Sequence, residues 1–479
     1  METSEQIKSA LRKTLEDELE QFLEQVSELA EGDLERLEEQ AVKTSQAMGR
    51  GLLEGVLNSR LREQRPEARR EGRCGHRQRL VGERPKELLT LLGTVTFVRP
   101  YYQCLAVPEE EESCTHGEAP DDALWGVQQR RTTSGVQREI SYLCGRLTFE
   151  EAAETLCRRV PLGMSARQAL TLMRPVGEAL AAQQDQEVDA LWAQASQPRT
   201  SADALTPQPR DITRLYIELD GVLARLRRGS VPLEKEERHR PGDVYREVKV
   251  GAVFRAERGR ERSELVPGVL VDTPAPHSLH YVARRTAKGG FDRLLYSLAV
   301  KSGLERAQQV VVLGDGAPWI WHVVSEQFPQ AVQIVDLYHA KEHVWDVAHA
   351  VFAGGTAEAT AWATEACSLL VEGQIEVLVA AIEALPPIAP EPGQTRSIPE
   401  RAVDYFSLNA ERMRYPIFRA QGMHLGSGIA EAACKTVVGT RTKRSGMRWT
   451  PDGLDALLPL RTAVLNHSYD SFWEQEYAA

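Results

Sequence analysis

Hydrophobic residues change their spacing along the chain, and the first spacing predicts a helical arm. From about Ser4 to Arg62, leucine, valine and phenylalanine recur every three or four residues, which is the period of an amphipathic helix. A long, acidic helix of this kind commonly packs against another helix. We therefore assign residues 1–64 to one helical arm that serves as a scaffold or an oligomerisation element.

Residues 65–125 predict a small β segment that resembles a zinc ribbon. An arginine-rich stretch leads into Leu88–Arg99, which we interpret as two short strands around Gly93. Residues that can bind metal flank these strands in pairs. In zinc ribbons about two to four residues commonly lie between the two ligands of a pair, whereas here only one residue does. The spacing therefore favours a degenerate ribbon without metal, and bound Zn²⁺ is the alternative. The candidate zinc ligands are Cys74, His76, Cys104, Cys114 and His116.

Residues 126–205 predict a helical segment with a helix-turn-helix order. Thr148 and Glu151 form a capping box at the start of one helix, and Pro161–Met164 reads as a turn. Ser165 then caps a second helix, Ala166 to Met173. In a helix-turn-helix this second helix enters the major groove, whereas an ordinary helical hairpin is the alternative interpretation. The residues that would face the DNA bases are Arg167, Gln168 and Thr171.

Residues 206–353 change to an α/β pattern. Three strand-like runs are followed by a helix, a strand, a helix, a strand and a last helix, which is the element order of an RNase H-like fold with a mixed five-stranded sheet. Residues 354–424 have a helical pattern and read as an insertion. Residues 425–479 return to the core with an acidic helix and a basic tail. The predicted strands are Arg214–Arg225, Tyr245–Phe254, His280–Arg284, Gln309–Gly314 and Gln333–Leu337.

Composition excludes several classes of protein. No run approaches the roughly twenty apolar residues of a membrane span, and the first twenty residues are charged, so we expect a cytoplasmic protein without a membrane partner. Seven cysteines, an odd number, argue against a secreted disulfide framework. The net charge of −11 weighs mildly against nucleic-acid binding. Basic residues nevertheless cluster in three places, so DNA remains a possible partner.

Two aspartates carry the strongest candidate chemistry. Asp220 follows the apolar run Leu215–Leu219 and precedes Gly221, and Asp315 follows an apolar strand and precedes Gly316. Ligands gather beyond the strand ends of open α/β sheets. If the two strands are neighbours, the carboxylates would repel one another without a divalent cation, and Mg²⁺ or Mn²⁺ suits oxygen ligands. The alternative is that Asp220 is a turn residue and Asp315 a helix cap.

Two-metal phosphoryl transfer requires a third carboxylate, for which the pattern offers two candidates. Glu431 lies on the helix after the insertion, and Glu342 lies on the helix after the last strand. Residues alone do not decide between them. His339, Glu342 and His343 also match the H-x-x-E-H pattern of a zinc protease, but no third ligand follows from the sequence.

A basic segment with one aromatic residue follows the Glu431 helix and suits a DNA strand threaded past the metals, through phosphate pairing and base stacking. The alternative is a solvated basic loop. The residues concerned are Arg441, Lys443, Arg444, Arg448 and Trp449.

These motifs together resemble the ISKra group of bacterial insertion-sequence transposases, which are DDE transposases. The similar blocks are Leu219–Gly221, Gly314–Ile320, Asp336–His343 and Gly428–Trp449. The resemblance implies an RNase H-like core and selects Glu431 as the third carboxylate. It places His339 of a D-x-x-H motif beside the active site, which displaces the protease interpretation. The cysteines depart from the family's zinc-ribbon pattern.

The function expected from the resemblance is that of a bacterial, nucleoid-associated enzyme. It would bind the terminal inverted repeats of an insertion sequence and use two Mg²⁺ or Mn²⁺ ions to hydrolyse a phosphodiester and transfer the strand to target DNA. Double-stranded DNA is the expected partner, and aligning two ends favours a homo-oligomer. The alternatives are an RNase H-like nuclease without strand transfer, or a DNA-binding regulator or domesticated transposase without catalysis.

Overall fold

The computed structural model describes residues 4–27, 33–62, 66–104, 114, 116–195, 210–232, 242–262, 270–352, 354–444 and 446–477. The chain divides into two compact units, residues 1–173 and 174–479. The boundary lies inside a long helix, within the predicted segment 126–205. None of the described helices is long and apolar enough to span a membrane.

The first unit begins with two helices rather than the single predicted helix. They are α1 (Ser4–Ser27) and α2 (Leu34–Arg62), and they run antiparallel, because Gly51 lies against Thr14 and Gly55 lies against Leu11. The missed signal is Asp33, whose carboxylate accepts a hydrogen bond from the Arg36 amide at 3.3 Å, as a helix N-cap does.

The small β segment is a four-stranded antiparallel sheet in the order β1-β2-β3-β4. Its centre is a hairpin with strands longer than the two predicted around Gly93. Charged residues are frequent along β2, so its hydrophobic pattern does not predict the full length of the strand. Leu88, Val95 and Phe97 are buried and pack with Leu57 of α2, which anchors the hairpin. The strands are β1 (Arg69–Glu71), β2 (Arg77–Thr90), β3 (Gly93–Cys104) and β4 (Gly117–Glu118).

Short helices follow the sheet, and both predicted caps are present. The capping box of Thr148 and Glu151 is complete. Ser165 and Gln168 exchange hydrogen bonds at the start of the last helix. That helix continues to Ala195 rather than ending at Met173, with Pro175 inside it. The helices are α3 (Asp121–Leu124), α4 (Ser134–Arg146), α5 (Phe149–Arg159) and α6 (Ala166–Ala195).

The second unit is built on a mixed sheet of six strands, one more than predicted. β5 and β6 form a long antiparallel pair, β6 also pairs with β7 and β8, and β9 and β10 run parallel to β5 on its other side. The additional strand, β7, pairs with the far end of β6, beyond the predicted limit of that strand. The strands are β5 (Ile212–Leu226), β6 (Val244–Arg262), β7 (Leu270–Pro274), β8 (His280–Arg285), β9 (Ala307–Gly314) and β10 (Val332–Val335).

Helices connect the parallel strands and supply the rest of this core. Helices α7 (Phe291–Lys301), α8 (Pro318–Gln327) and α9 (Leu337–Phe352) occupy the predicted places. The region between α9 and residue 424 is helical, and it buries apolar side chains such as Leu370 and Phe406 in the same core as the sheet. Its helices are α10 (Ala357–Val371), α11 (Ile375–Glu383), α12 (Ile398–Asn409) and α13 (Tyr415–Ala420).

The C-terminal region returns to the sheet. α14 (Gly428–Ala433) continues through a π-helical segment, Cys434–Gly439, into α15 (Thr440–Thr442). α16 (Pro451–Leu465) and α17 (Tyr469–Tyr477) follow. The α16 helix is fixed to β8 by the Arg285–Asp455 ion pair, with a shortest distance of 2.6 Å. Asn466 then exchanges two hydrogen bonds with the backbone of Tyr281 and so covers this edge of the sheet.

Candidate active site

Three aspartates stand in register where the parallel pairing of the strands ends, although β5 itself continues past Asp220 to Leu226 as a partner of β6, so Asp220 does not end a strand as expected. β5 pairs with β9 up to Glu218 and Leu313, and the same register carried two residues further places Asp220 beside Asp315. β9 pairs with β10 up to Gly314 and Val335, which places Asp336 beside Asp315 in turn. Neighbouring strands lie about 4.8 Å apart. Asp220 and Asp315 are therefore neighbours, which is the condition for sharing one metal ion.

Asp220 lies in a half-buried position at this edge. One carboxylate oxygen accepts a hydrogen bond from the Gly221 amide at 2.6 Å, and the Cys434 thiol donates another. Burial raises the pKa of Asp220, and the nearby Asp315 carboxylate raises it further, while His339 acts in the opposite direction. The two carboxylates thus lie together at a position where burial disfavours the charged form of Asp220. A divalent cation would relieve this penalty.

Asp315 is held by a turn and by the helical region that precedes residue 424. Its carboxylate accepts a hydrogen bond from the Ala317 amide at 2.9 Å, and its backbone carbonyl accepts one from the Tyr405 hydroxyl at 2.9 Å. Gly316 has a φ of +96°, and an added Cβ would lie 2.5 Å from the Tyr405 ring. Only glycine fits this close approach. Asp315 is therefore a turn residue rather than the N-cap of α8, which is Ala317.

Asp336 has a structural role at the same edge. Its Oδ1 accepts hydrogen bonds from the amides of Tyr338 and His339, at 2.6 and 3.0 Å, and thereby caps α9. Its Oδ2 accepts hydrogen bonds from the amide and the hydroxyl of Ser427, both at 2.5 Å. Both carboxylate oxygens are thus engaged. Asp336 joins α9 to the segment that starts α14.

His339 projects from the first turn of α9 toward the aspartates. Its imidazole influences the charge of Asp220, and its Nδ1 lies 3.4 Å from the Glu342 carboxylate. The ring also contacts that of His343 in a T-shaped arrangement, with centroids 5.0 Å apart. Within the described residues, no cluster of three or more potential ligands includes either histidine. The zinc-protease interpretation thus gains no support.

A buried glutamate that the sequence analysis did not single out holds the start of α14. Glu218 is fully buried on β5, and its Oε2 accepts a hydrogen bond from the Ala430 amide at 2.8 Å. Burial raises the pKa of Glu218 to about 8, and the nearby Asp336 contributes to the increase. Glu218 is therefore mostly neutral at pH 7. One charged residue inside the apolar run Leu215–Leu219 was the signal for it.

The π-helical segment that follows α14 contacts Asp220. Cys434, the first residue of the segment, is buried and donates to Asp220. The guanidinium of Arg461, on α16, donates to the Thr436 carbonyl at 3.0 Å and to the Thr440 hydroxyl at 2.8 Å. Arg461 thus satisfies a carbonyl in the irregular segment. Such π-helical interruptions are frequent at functional sites.

Both candidates for the third carboxylate lie on helices that reach this edge. Glu431 is exposed on α14, three residues before Cys434, so the two side chains share one face of the helix. Glu342 is also exposed, with its carboxylate beside His339. In the part of the chain that the structure describes, the oxygens of Asp220, Asp315 and Glu431 do not gather within 4.8 Å of one another. Two ions about 4 Å apart would need a wider spacing than this.

Replacing Glu218 tests its structural role. Glu218→Ala leaves the Ala430 amide without its acceptor and opens a cavity, so we expect the free energy of unfolding to fall by about 2 to 4 kcal/mol. Glu218→Gln is the matched control, because glutamine keeps the acceptor oxygen and the neutral charge that glutamate has at pH 7. Urea unfolding at pH 7 measures both. Equal stability of the alanine and glutamine variants would contradict this role.

The basic segment divides into a buried and an exposed part. Arg441 is fully buried, with its guanidinium 5.2 Å from the centre of the Trp449 ring, and Trp449 is itself 6% exposed. The prediction that Arg441 and Trp449 face DNA is therefore wrong. Their burial follows from backbone pairing, because Trp449 exchanges hydrogen bonds with Arg225 and Arg227 at the end of β5.

Three residues of this segment are exposed, and their predicted contact with DNA stays a prediction: Lys443, Arg444 and Arg448. The positive charge of Lys443 acts to lower the pKa of the Cys434 thiol. Lys443 therefore lies near the residue that donates a hydrogen bond to Asp220. The Arg448 guanidinium is 3.0 Å from Asp243. In the first unit, Arg167, Gln168 and Thr171 are exposed on the first turns of α6. The carbonyl oxygen of the Gln168 side chain is occupied by the Ser165 cap.

Four of the five candidate zinc ligands come together. The ligand atoms of Cys74, His76, Cys104 and Cys114 all lie within 4.8 Å of one another. The backbone amide of His76 is the largest influence that lowers the pKa of the Cys74 thiol, to about 7. His116 is not in the cluster, and its Nε2 lies 3.7 Å from the Glu118 carboxylate.

Comparison with known proteins finds relatives that are themselves uncharacterised. Residues 29–235 match the model of UPF0236, an uncharacterised protein family. Two UPF0236 proteins of Caldanaerobacter subterraneus subsp. tengcongensis are each 22% identical over 426 residues, which is 88% of this chain and 75% of each relative. Their names join four and eleven gene designations, respectively. The chain is also similar to the Drosophila P element transposase strand transfer complex, with 10% identity, a TM-score of 0.23, and coverage of 75% of this chain and 84% of that one.

Proposed function

We propose that this chain is a DDE transposase of the ISKra type, with an RNase H-like catalytic core. The observation that carries the proposal is the register of Asp220 and Asp315 on adjacent parallel strands. The strand order β8-β6-β5-β9-β10, with the first two connections antiparallel and the last two parallel, agrees with such a core. Asp315 directly follows β9, where sheets of this kind place catalytic groups, and Asp220 lies beside it on β5.

Gene copy number gives independent support. Each of the two relatives named above carries several gene designations within one genome, up to eleven for one of them. A protein that is encoded many times in one genome is expected of an element that copies or moves itself. We extend this expectation to the present chain, because the alignment with those relatives covers 88% of its length.

The site suits divalent cations by the chemistry of its donors. Asp220, Asp315 and Glu431 offer oxygen ligands, which Mg²⁺ and Mn²⁺ prefer. When bound, two such ions activate a water or a 3′-hydroxyl and stabilise the leaving oxygen of a phosphodiester. The protein's own contribution is positional: Cys434 orients Asp220, and Tyr405 fixes the backbone of Asp315. We propose that the His339 imidazole contacts the scissile phosphate, because its charge already acts on Asp220.

DNA would be held by exposed cations in both units. Lys443, Arg444 and Arg448 are exposed and follow the π-helical segment whose first residue, Cys434, contacts Asp220. Their charges suit the phosphates of a strand at the active site. In the first unit, Arg167 and Thr171 are exposed at the start of α6, as readers of the terminal repeats would be. We propose that the protein acts as a homo-oligomer that aligns two transposon ends.

Strand transfer is the reaction that separates this proposal from its alternatives. The test uses linear DNA with the gene's own flanking sequences, a supercoiled target plasmid and Mg²⁺ or Mn²⁺. A transposase produces cleavage at the element ends and a covalent joint to the plasmid. A nuclease produces cleavage without joints, and a DNA-binding regulator produces a mobility shift without either product. Absence of joints with both metals would overturn the proposal.

Alanine substitutions of Arg444 and of Arg441 together test which part of the basic segment contacts DNA. For exposed Arg444, alanine substitution removes one phosphate contact, so the slope of log affinity against log salt falls by about one, with stability unchanged within about 0.5 kcal/mol. For buried Arg441, the same substitution lowers the free energy of unfolding by about 3 kcal/mol. Salt titrations of DNA binding and urea unfolding measure the two effects. Unchanged DNA affinity and salt slope in Arg444→Ala would contradict a phosphate contact.

A further inference from the structure

We propose that Cys74, His76, Cys104 and Cys114 bind one Zn²⁺ ion in a closed structural site. Their ligand atoms all lie within 4.8 Å of one another. Zinc binds sulfur at about 2.3 Å and imidazole nitrogen at about 2.0 to 2.1 Å, so four ligands arranged around one ion fit inside this limit. Three thiols and an imidazole are soft donors that select zinc over Mg²⁺ or Ca²⁺.

A tight turn brings the first two ligands together across a single intervening residue. The Gly72 amide donates to the His76 carbonyl at 2.9 Å, and the Gly75 amide donates to the Gly72 carbonyl at 3.0 Å. Gly75 has a φ of +76°, which side chains rarely permit. The turn therefore compensates for the short Cys74–His76 spacing, which weighs against metal binding when it is judged from the sequence alone.

The other two ligands arrive from the far end of the hairpin. Cys104 is the last residue of β3, and its amide donates to the His116 carbonyl at 2.9 Å. β4 extends this contact by pairing with β3 at Gln103 and Tyr102. The backbone thus holds the segment that carries Cys114 against the end of β3. Ligands from three separate stretches meet at one point.

The residues around the cluster support a metal site. Gln78 is fully buried, and its amide nitrogen lies 3.9 Å from the Cys74 sulfur, where it would stabilise a bound thiolate, as outer partners of metal ligands do. His116 is excluded as a ligand, because its side chain is directed to Glu118. Four protein ligands fill a tetrahedral shell and leave no open position, so the site is structural and not catalytic.

Metal content and its dependence on individual ligands test the site. We expect the purified full chain to hold one zinc per chain by elemental analysis after gel filtration. Cys104→Ser and His76→Ala should lose most of it. His76→Cys should retain it, because zinc accepts four cysteines, and His116→Ala should retain it because that residue is not a ligand. Loss of zinc in His116→Ala, or retention in Cys104→Ser, would overturn the assignment.

A measurement on the unmodified chain covers the case in which the variants do not fold. Exchange of the bound metal for Co²⁺ should give the visible absorption of a tetrahedral thiolate complex. Removal of the metal by a strong chelator should lower the melting temperature, and Zn²⁺ should restore it, because metal binding contributes to folding. No cobalt spectrum and no zinc would overturn the proposal. These measurements do not depend on the proposed transposase activity.

Discussion

Asp220→Asn is expected to reduce DNA cleavage and strand transfer by about a thousandfold or more. The amide removes the negative charge that is proposed to hold a divalent ion beside Asp315, and a loss of about 4 kcal/mol of transition-state stabilisation corresponds to this factor. Asparagine keeps the size of the side chain and an oxygen that can accept the Gly221 amide. The fold should therefore be preserved. Cleavage rates with the flanking-sequence DNA measure the effect.

Two controls separate loss of chemistry from loss of binding or folding. Asp189→Asn changes an exposed carboxylate on α6 in the same way and should leave cleavage unchanged. Binding of the flanking DNA by Asp220→Asn should equal that of the unmodified chain within about twofold, because the carboxylate makes no favourable contact with phosphate. Mn²⁺ affinity, measured by calorimetry, should fall in Asp220→Asn but not in Asp189→Asn. Normal cleavage by that variant would refute the assignment of Asp220.

Asp220 and Asp315 were predictable from the sequence because their signal is local, although Asp220 lies within β5, which continues to Leu226, and not at a strand end. An apolar run, an aspartate and a glycine stand together at both Asp220 and Asp315. The structure adds the parallel pairing of β5 with β9, which no single run of residues reveals. Asp336 shows the limit of such reasoning. It is in register with the other two aspartates, yet its carboxylate is occupied by α9 and Ser427.

The basic segment was partly misread because charge patterns do not report burial. Arg441 and Arg444 are three residues apart in one run of cations, but Arg441 is fully buried and Arg444 is exposed. The difference arises from the pairing of Trp449 with the end of β5, a contact between positions more than 200 residues apart. Tyr405 escaped prediction for the same reason. It reaches Asp315 from a helix 90 residues further along the chain.

The proximity of the four ligand atoms could not be predicted, because spacing rules assume a standard turn. Cys74 and His76 are closer in sequence than the ligand pairs of most zinc ribbons. The turn at Gly75 and the backbone bond between Cys104 and His116 provide the geometry that the spacing lacks. Cys104 and Cys114 carry no local pattern that links them to this turn. Only the pairing of β2, β3 and β4 does so.

Glu431→Gln is expected to reduce cleavage by about a hundredfold or more, while Glu342→Gln leaves it within about threefold. The physical reason is the position of α14, which is attached to the sheet by Glu218 of β5 and by Asp336, the residue after β10. The next residues of that helix contact Asp220 through Cys434, and Glu431 shares their face. Removal of a metal-holding carboxylate costs several kcal/mol in the transition state.

Glu342 is the informative comparison, because it is exposed, as Glu431 is, and lies beside His339. Its carboxylate is 3.4 Å from Nδ1 of His339, so its loss is expected to alter the orientation of that imidazole rather than metal binding. The two substitutions should therefore differ in Mn²⁺ affinity as well as in rate. If Glu342→Gln abolished cleavage and Glu431→Gln did not, the third carboxylate would lie on α9, and α14 would serve to position Cys434 against Asp220.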